Sequence, residues 1–283
     1  MAASTLLYEV RDRIAFLTLN RPERLNAIGL TTGRDLRDAV ARANDDDDVH
    51  VIVLRGAGRA FCSGYDLKDF AEGETPWNQS MPWDPTIDYR MMRQNTEDFM
   101  SLWRSPKPTI AQVQGFAVAG GSDIALCCDL VVMAEDARIG YPPARVWGCP
   151  TTAMWTFRIG AERAKRMLLT GDLIDGREAK AMGLVIDAVP QAQLEARVLE
   201  LARRMAGVPK NQLMMQKMVV NHAVAQMGLE STQNLATLFD GITRHSPEGV
   251  WFREHAAKSG FQDAVRIRDS GDPIPGSKRP PKS

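Results

Sequence analysis

Short apolar runs alternate with segments of helical periodicity in the part of the chain that precedes about Met167. Such runs, bounded by turn residues, predict buried strands. The predicted strands are Ile14–Leu19, Val51–Leu54, Thr109–Gln114 and Asp129–Ala134. Between the first two, apolar residues recur with the spacing of an amphipathic helix within Leu30–Asn44, at Leu36, Ala39, Val40 and Ala43. Repeated strand, loop and helix units predict an α/β fold.

Beyond about Met167 the strand pattern fades and helical periodicity dominates. The helices predicted there are Ala192–Met205, Asn211–Met227, Ser231–Ile242 and Pro247–Lys258. Three methionines at helical spacing, Met214, Met215 and Met218, predict a core or subunit contact. We therefore divide the chain into a ligand-binding core, residues 1–200, and a helical C-terminal region, residues 201–283, with a loosely held Pro- and Gly-rich end.

The segment Ala71–Asp88 interrupts this alternation with three prolines, two tryptophans and little periodicity. Loops of this length are commonly functional lids or disordered segments. The tryptophans favour a folded lid, and a surface or subunit patch is an equally good interpretation.

Composition narrows the classes of function. Lys plus Arg and Asp plus Glu are 35 each in 283 residues, so no net charge favours nucleic acid or an anionic membrane, and a small-molecule ligand is expected. No apolar run approaches the roughly 18 residues of a membrane helix. The cysteines lack the CxxC spacing of a zinc site, and the run Asp45–Asp48 is typical of a solvated turn, so no metal is expected. A soluble cytoplasmic protein is predicted.

Two glycine-containing loops follow predicted strands: Ala60–Lys68 (AFCSGYDLK) and Gly115–Asp123 (GFAVAGGSD). Glycine at such a position lets backbone N–H groups point at a ligand. A pair of such donors stabilises a developing oxyanion, and one donor is typically worth roughly 3 kcal/mol. Close backbone packing explains glycines equally well. Neither loop has the GxGxxG or GxxxxGK[ST] pattern, so nucleotide phosphate binding is not supported.

These loops, together with LNRPERLNA (Leu19–Ala27) and AKRMLLTGDLIDGREAKAMGLVIDAV (Ala164–Val189), resemble the crotonase superfamily, the enoyl-CoA hydratase/isomerase family. The resemblance covers most of the chain up to its helical end. It implies a spiral of repeated ββα units that binds an acyl-CoA thioester, with C-terminal helices that build homo-trimers or hexamers. Coenzyme A is then part of the substrate, and no separate cofactor is expected.

The resemblance also implies the positions of the binding groups. The two oxyanion donors would be the backbone N–H groups of Tyr65 and Gly120. The residues that match the family's coenzyme A-binding segments are Arg24, Ala27, Asp66, Leu67, Lys68 and, near the adenine, Phe261.

Asp123 stands where the family's hydratases place their first catalytic glutamate. Helix capping and the helix dipole are its alternative explanations. The second glutamate position holds Pro143. An aspartate is shorter than a glutamate by one bond, about 1.5 Å, and a misplacement of about 1 Å can cost ~100-fold in rate. The resemblance therefore implies thioester enolate chemistry, and the two departures make standard hydratase activity doubtful.

Several reactions remain open at this stage. Asp123 could serve as the single base of an enoyl-CoA isomerase, and a decarboxylase or C–C hydrolase could use the same oxyanion hole. Residues that could take part are Tyr141, Arg145, Trp147, Asp84, Asp88 and Tyr89, although packing or surface salt bridging explains the first three better individually. A CoA-binding or RNA-binding protein without turnover is the alternative from another class, and the neutral charge disfavours RNA.

Overall fold

The computed structural model describes residues 4–73, 75, 79 and 82–277. Its strands are β1 (Leu6–Arg11), β2 (Ile14–Leu19), β3 (Val51–Gly56), β4 (Thr109–Val113), β5 (Phe116–Val118), β6 (Leu130–Ala134), β7 (Arg138–Gly140), β8 (Leu173–Asp175) and β9 (Asp187–Val189). Its α-helices are α1 (Thr32–Asp45), α2 (Pro85–Arg104), α3 (Gly120–Cys127), α4 (Met154–Thr170), α5 (Gly176–Met182), α6 (Leu194–Ala206), α7 (Lys210–Gln226), α8 (Leu229–His245), α9 (Pro247–Ser259) and α10 (Phe261–Asp269).

The strands form two sheets, and from β4 to β7 the chain alternates between them. The larger sheet has the order β1-β2-β3-β4-β6-β9 and is parallel except for β1. The smaller sheet has the order β5-β7-β8. Thus β4 and β5 lie in different sheets and precede α3, and β6 and β7 repeat the pattern before α4. This is the ββα repeat that the family resemblance implies.

The core lies around the central strands of the larger sheet. Both faces of β2 and β3 are covered, which is why their sequences are continuous apolar runs rather than alternating ones. Ile14, Leu17, Ile52 and Leu54 are fully buried. The apolar stripe predicted within Leu30–Asn44 packs α1 into the same core.

The structure confirms the four predicted strands and five helices, with shifts of a residue or a few at their ends. The prediction that strands end by about Met167 is wrong, because β8 and β9 follow it. Each has three residues, which is too short for a periodic pattern. The Pro- and Gly-rich C-terminal segment, predicted to be loosely held, packs against α9 as far as Pro275–Ser277.

The segment Ala71–Asp88 is only partly a loop. A π-helical turn covers Lys68–Glu72, and α2 begins at Pro85, where the Asp84 side chain accepts a hydrogen bond from the Thr86 N–H at 2.9 Å. Residues 74, 76–78, 80 and 81 lie outside the described residues, and Trp77 of the predicted lid is among them. The lid function stays a prediction.

Across the described ranges, no helix has the length and hydropathy that crossing a membrane would require. The same residues contain no group of three or more His, Cys, Asp or Glu placed to hold a metal ion. Asp47, in the aspartate run, lies 2.9 Å from Lys210 Nζ.

Candidate active site

Two loops meet beyond the carboxyl ends of β3 and β4, which are parallel neighbours. The N–H groups of Phe61 and Cys62 donate to the carbonyls of Gln114 and Phe116, both at 2.8 Å. The Val118 N–H returns a hydrogen bond to the Cys62 carbonyl at 3.0 Å. The loop after β3 is therefore fixed beside β5, and the two glycine-containing segments of the sequence are neighbours.

Gly64 allows these segments to approach at the backbone. Its φ is +95°, in the region that favours glycine. A Cβ atom on it would lie 2.9 Å from both the Val118 carbonyl oxygen and the Ala119 Cβ, and 3.6 Å from the Gly120 nitrogen. A larger residue would push the two loops apart.

The backbone N–H groups of Tyr65 and Gly120 are both open. Ile28 donates to the Gly64 carbonyl at 2.8 Å and accepts from the Asp66 N–H at 3.0 Å. Alternate peptide groups of extended backbone point to opposite sides, so the Tyr65 N–H points away from Ile28. Gly120 is the first residue of α3, whose first N–H groups have no acceptor within the helix. No described residue accepts from either N–H, so both can donate to a ligand oxygen.

A cavity of about 580 Å³ lies beside these loops. This volume is in the range of small-molecule sites. Six of the residues predicted to bind ligand contribute to its wall: Arg24, Ala27, Tyr65, Asp66, Leu67 and Phe261. Lys68 and Gly120 are not among the described residues of the wall. Lys68 is exposed, and Ala119, which precedes Gly120, does contribute to the wall.

Asp66 organises the chain around this cavity. Its buried carboxylate lies 2.9 Å from Arg21 Nη2 and 3.9 Å from Arg24 Nη1. The other arm of Arg21 donates to the Ala27 carbonyl at 2.8 Å. The ion pairs thus join the segment around Arg24 to the loop that carries Tyr65. Sequence reasoning missed Arg21, whose only signal was its place in the NRPER stretch.

Asp123 lies in the first turn of α3 and is buried. The Thr152 hydroxyl donates to its Oδ1 at 2.7 Å. Burial raises the pKa of the Asp123 carboxyl to about 8, against the opposing Thr152 hydrogen bond and with the help of the Asp240 charge. The carboxyl is therefore mainly protonated at neutral pH. Asp123 is not among the described residues of the cavity wall, and its catalytic role stays a prediction.

A cluster of charged side chains at the cavity was missed by sequence reasoning. Asp240 and Arg244 of α8 both contribute to the wall. Asp240 Oδ1 accepts from the Cys149 N–H at 3.0 Å, and its Oδ2 pairs with Arg244. Arg244 Nη2 lies 2.7 Å from Asp88 Oδ1. The four-residue spacing of Asp240 and Arg244 was their only sequence signal, and it does not reveal which way α8 faces.

Of the other candidate residues named in the sequence analysis, some lie in the cavity wall and some do not. Asp88 is not in the described wall; it accepts from Trp83 Nε1 at 2.5 Å as well as from Arg244. Tyr141 and Trp147 do contribute to the wall, and burial raises the pKa of the Tyr141 phenol well above its usual value. Arg145 and Tyr89 are not in the described wall: Arg145 lies 3.3 Å from Asp269, which is a wall residue, and the Tyr89 hydroxyl lies 3.3 Å from Asn234 Oδ1.

Comparison with known proteins identifies the family of the chain. The chain is 45% identical to an enoyl-CoA hydratase structure from Mycobacterium smegmatis, with a TM-score of 0.89 and 94% of each chain covered. It is 35% identical to the (E)-benzylidenesuccinyl-CoA hydratase of Thauera aromatica, over 70% of this chain and 75% of that one. It is 33% identical to the hydroxycinnamoyl-CoA hydratase-lyase of Pseudomonas fluorescens, over 71% of this chain and 72% of that one. The family model of enoyl-CoA hydratase/isomerase matches residues 9–257. The chain belongs to this family and has the crotonase fold.

Proposed function

We propose that this protein binds an acyl-CoA thioester and stabilises its enolate with the backbone N–H groups of Tyr65 and Gly120. The observation that carries the proposal is the pair of open donors at the junction of two fixed loops beside the cavity. Relatives named as hydratases of enoyl-CoA thioesters support this class of substrate.

The chemistry follows from where charge develops. Removing a proton from the carbon next to a thioester carbonyl places negative charge on the carbonyl oxygen. Two donors held by the backbone are already oriented towards that charge, so they need little reorganisation when it forms. The same enolate would serve isomerisation, hydration and the cleavage reactions considered from the sequence. The common step of these reactions is therefore the proposed activity.

The remainder of the cavity wall suits coenzyme A. Arg24 and Arg59 supply positive charge for its phosphates, and Phe261 supplies an apolar surface for the adenine. Asp66 takes part through Arg21 and Arg24, which it holds in place. Lys68 is exposed just outside the wall, where a phosphate could still reach it. Weak hydration of crotonyl-CoA is expected, because neither Asp123 nor Pro143 provides the glutamate found in hydratases.

Substitutions at Tyr65 test the backbone donor. Exchange of the C2 protons of butyryl-CoA in D₂O, followed by mass spectrometry, measures enolate formation without requiring the physiological acyl group. Tyr65→Phe keeps the N–H and should retain most of the exchange rate. Tyr65→Pro removes the N–H and should lower it by ~100-fold or more.

Binding of free coenzyme A, measured by calorimetry, is the control for Tyr65→Pro, because the nucleotide does not use the oxyanion hole. A loss of ~1000-fold in Tyr65→Phe would assign the phenol, rather than the backbone, to catalysis. A wild-type protein that exchanged no C2 protons with butyryl-CoA or 3-phenylpropionyl-CoA would refute the proposed function.

A further inference from the structure

A carboxylate from α8 reaches the part of the wall where the sequence has Pro143 in place of a glutamate. A Cβ atom on Gly148 would lie 2.8 Å from the Pro143 Cβ, so these two residues are in contact. The next residue, Cys149, donates its N–H to Asp240 Oδ1 at 3.0 Å. Pro143, Gly148 and Asp240 all belong to the cavity wall. The position that lacks a carboxylate in its own loop therefore has one from a distant helix.

The partners of Asp240 fix its carboxylate and leave it able to accept further hydrogen bonds. Arg244 holds Oδ2, and the Cys149 N–H holds Oδ1. Each carboxylate oxygen can accept more than one hydrogen bond, so both retain capacity for a ligand. Arg244 is itself shared with Asp88, so two buried carboxylates face one guanidinium.

Asp240 and Tyr65 line the same cavity. Burial raises the pKa of the Tyr65 phenol, and the Asp240 charge is the next largest cause. The Tyr65 ring in turn lies over Gly120, where an added Cβ would be 2.9 Å from its Cε2. Burial raises the pKa of Asp240 while the Arg244 charge opposes this change. A carboxylate so placed is a stronger base than one in water.

We propose that Asp240 is an acid–base residue of this site and transfers the proton at the carbon next to the thioester carbonyl. This inference rests on the proposed function. Asp240 takes the proton from C2, and the C–H electron pair forms the C1–C2 double bond of the enolate, whose oxygen accepts from Tyr65 and Gly120. Return of the proton restores the thioester and the ionised carboxylate. When water adds to an enoyl thioester, its oxygen bonds to C3, and Asp240 carries one water proton to C2.

The test is Asp240→Asn, which keeps the size of the side chain and removes the base. C2 proton exchange of butyryl-CoA and 3-phenylpropionyl-CoA in D₂O should fall by ~100-fold or more, with coenzyme A binding unchanged. The matched control is Asp98→Asn, a buried carboxylate that lies 2.8 Å from Arg37 Nη1 and is not in the described wall. It should exchange at the wild-type rate.

A second variant separates catalysis from folding. Pro143→Glu in the Asp240→Asn protein returns a carboxylate to the neighbouring wall position and should recover part of the exchange. Wild-type exchange in Asp240→Asn would overturn the inference and leave the proposed function standing. Loss of exchange together with coenzyme A binding, without recovery by Pro143→Glu, would assign Asp240 to the fold alone and also overturn it. A wild type without any exchange would refute the proposed function itself.

Discussion

Replacement of Asp123 by Asn should make the protein more resistant to unfolding at high pH. Burial raises the pKa of this carboxyl from 3.8 to about 8, so the folded state holds a proton that the unfolded chain has released. Between these two values stability falls as pH rises, at a limit of about 1.4 kcal/mol per pH unit. From pH 5 to pH 8 the loss is therefore at most about 4 kcal/mol. An asparagine Oδ1 can still accept from Thr152, and the amide does not ionise.

Urea unfolding at a series of pH values, followed by tryptophan fluorescence, measures this effect. Protein concentration must be held constant, since assembly would add to stability. The difference in unfolding free energy between Asp123→Asn and wild type should grow steadily from pH 5 to pH 8. Asp240 and Asp129 also have raised pKa values, and comparing the two proteins removes their common contribution. Parallel pH profiles would show that Asp123 is not buried as a neutral acid. The sequence further predicts slower turnover in this variant.

The protein should sediment as the trimer or hexamer that the family resemblance implies, and a subunit contact would cover apolar side chains exposed on α7 and α8, such as Met218 (59% exposed) and Phe239 (49%). A monomer at micromolar concentration that still bound coenzyme A would contradict this, and Met218→Lys should weaken the assembly. The pair Asp123→Glu with Pro143→Glu should raise crotonyl-CoA hydration modestly above a weak wild-type rate, because it lengthens one carboxyl group and adds another, without tuned surroundings. Wild-type hydration already at the rate of a competent hydratase would refute the reasoning about these two positions.

Local patterns in the sequence predicted the parts of the fold that local physics controls. The strand Ile14–Leu19 is buried along its length, and its run of apolar residues is a direct consequence. The helix within Leu30–Asn44 is amphipathic because one face packs on the sheet. A close backbone contact requires a glycine at position 64. The sequence shows that glycine, although it does not show the contact. Short strands such as Leu173–Asp175 escaped prediction because three residues carry no periodicity.

The sequence by itself determined the two glycine-containing loops and the presence of Pro143 where the family's hydratases have a glutamate, and it gave the two backbone donors only as an expectation from the resemblance. Only the tertiary structure decided which carboxylates surround the cavity. α8 packs against α2, and this contact between distant segments turns Asp240 and Arg244 towards the site. Their four-residue spacing would look the same on an exposed helix. The raised pKa of Asp123 likewise comes from burial in the folded chain, against the hydrogen bond that the distant Thr152 donates to it, so no local pattern could have revealed it.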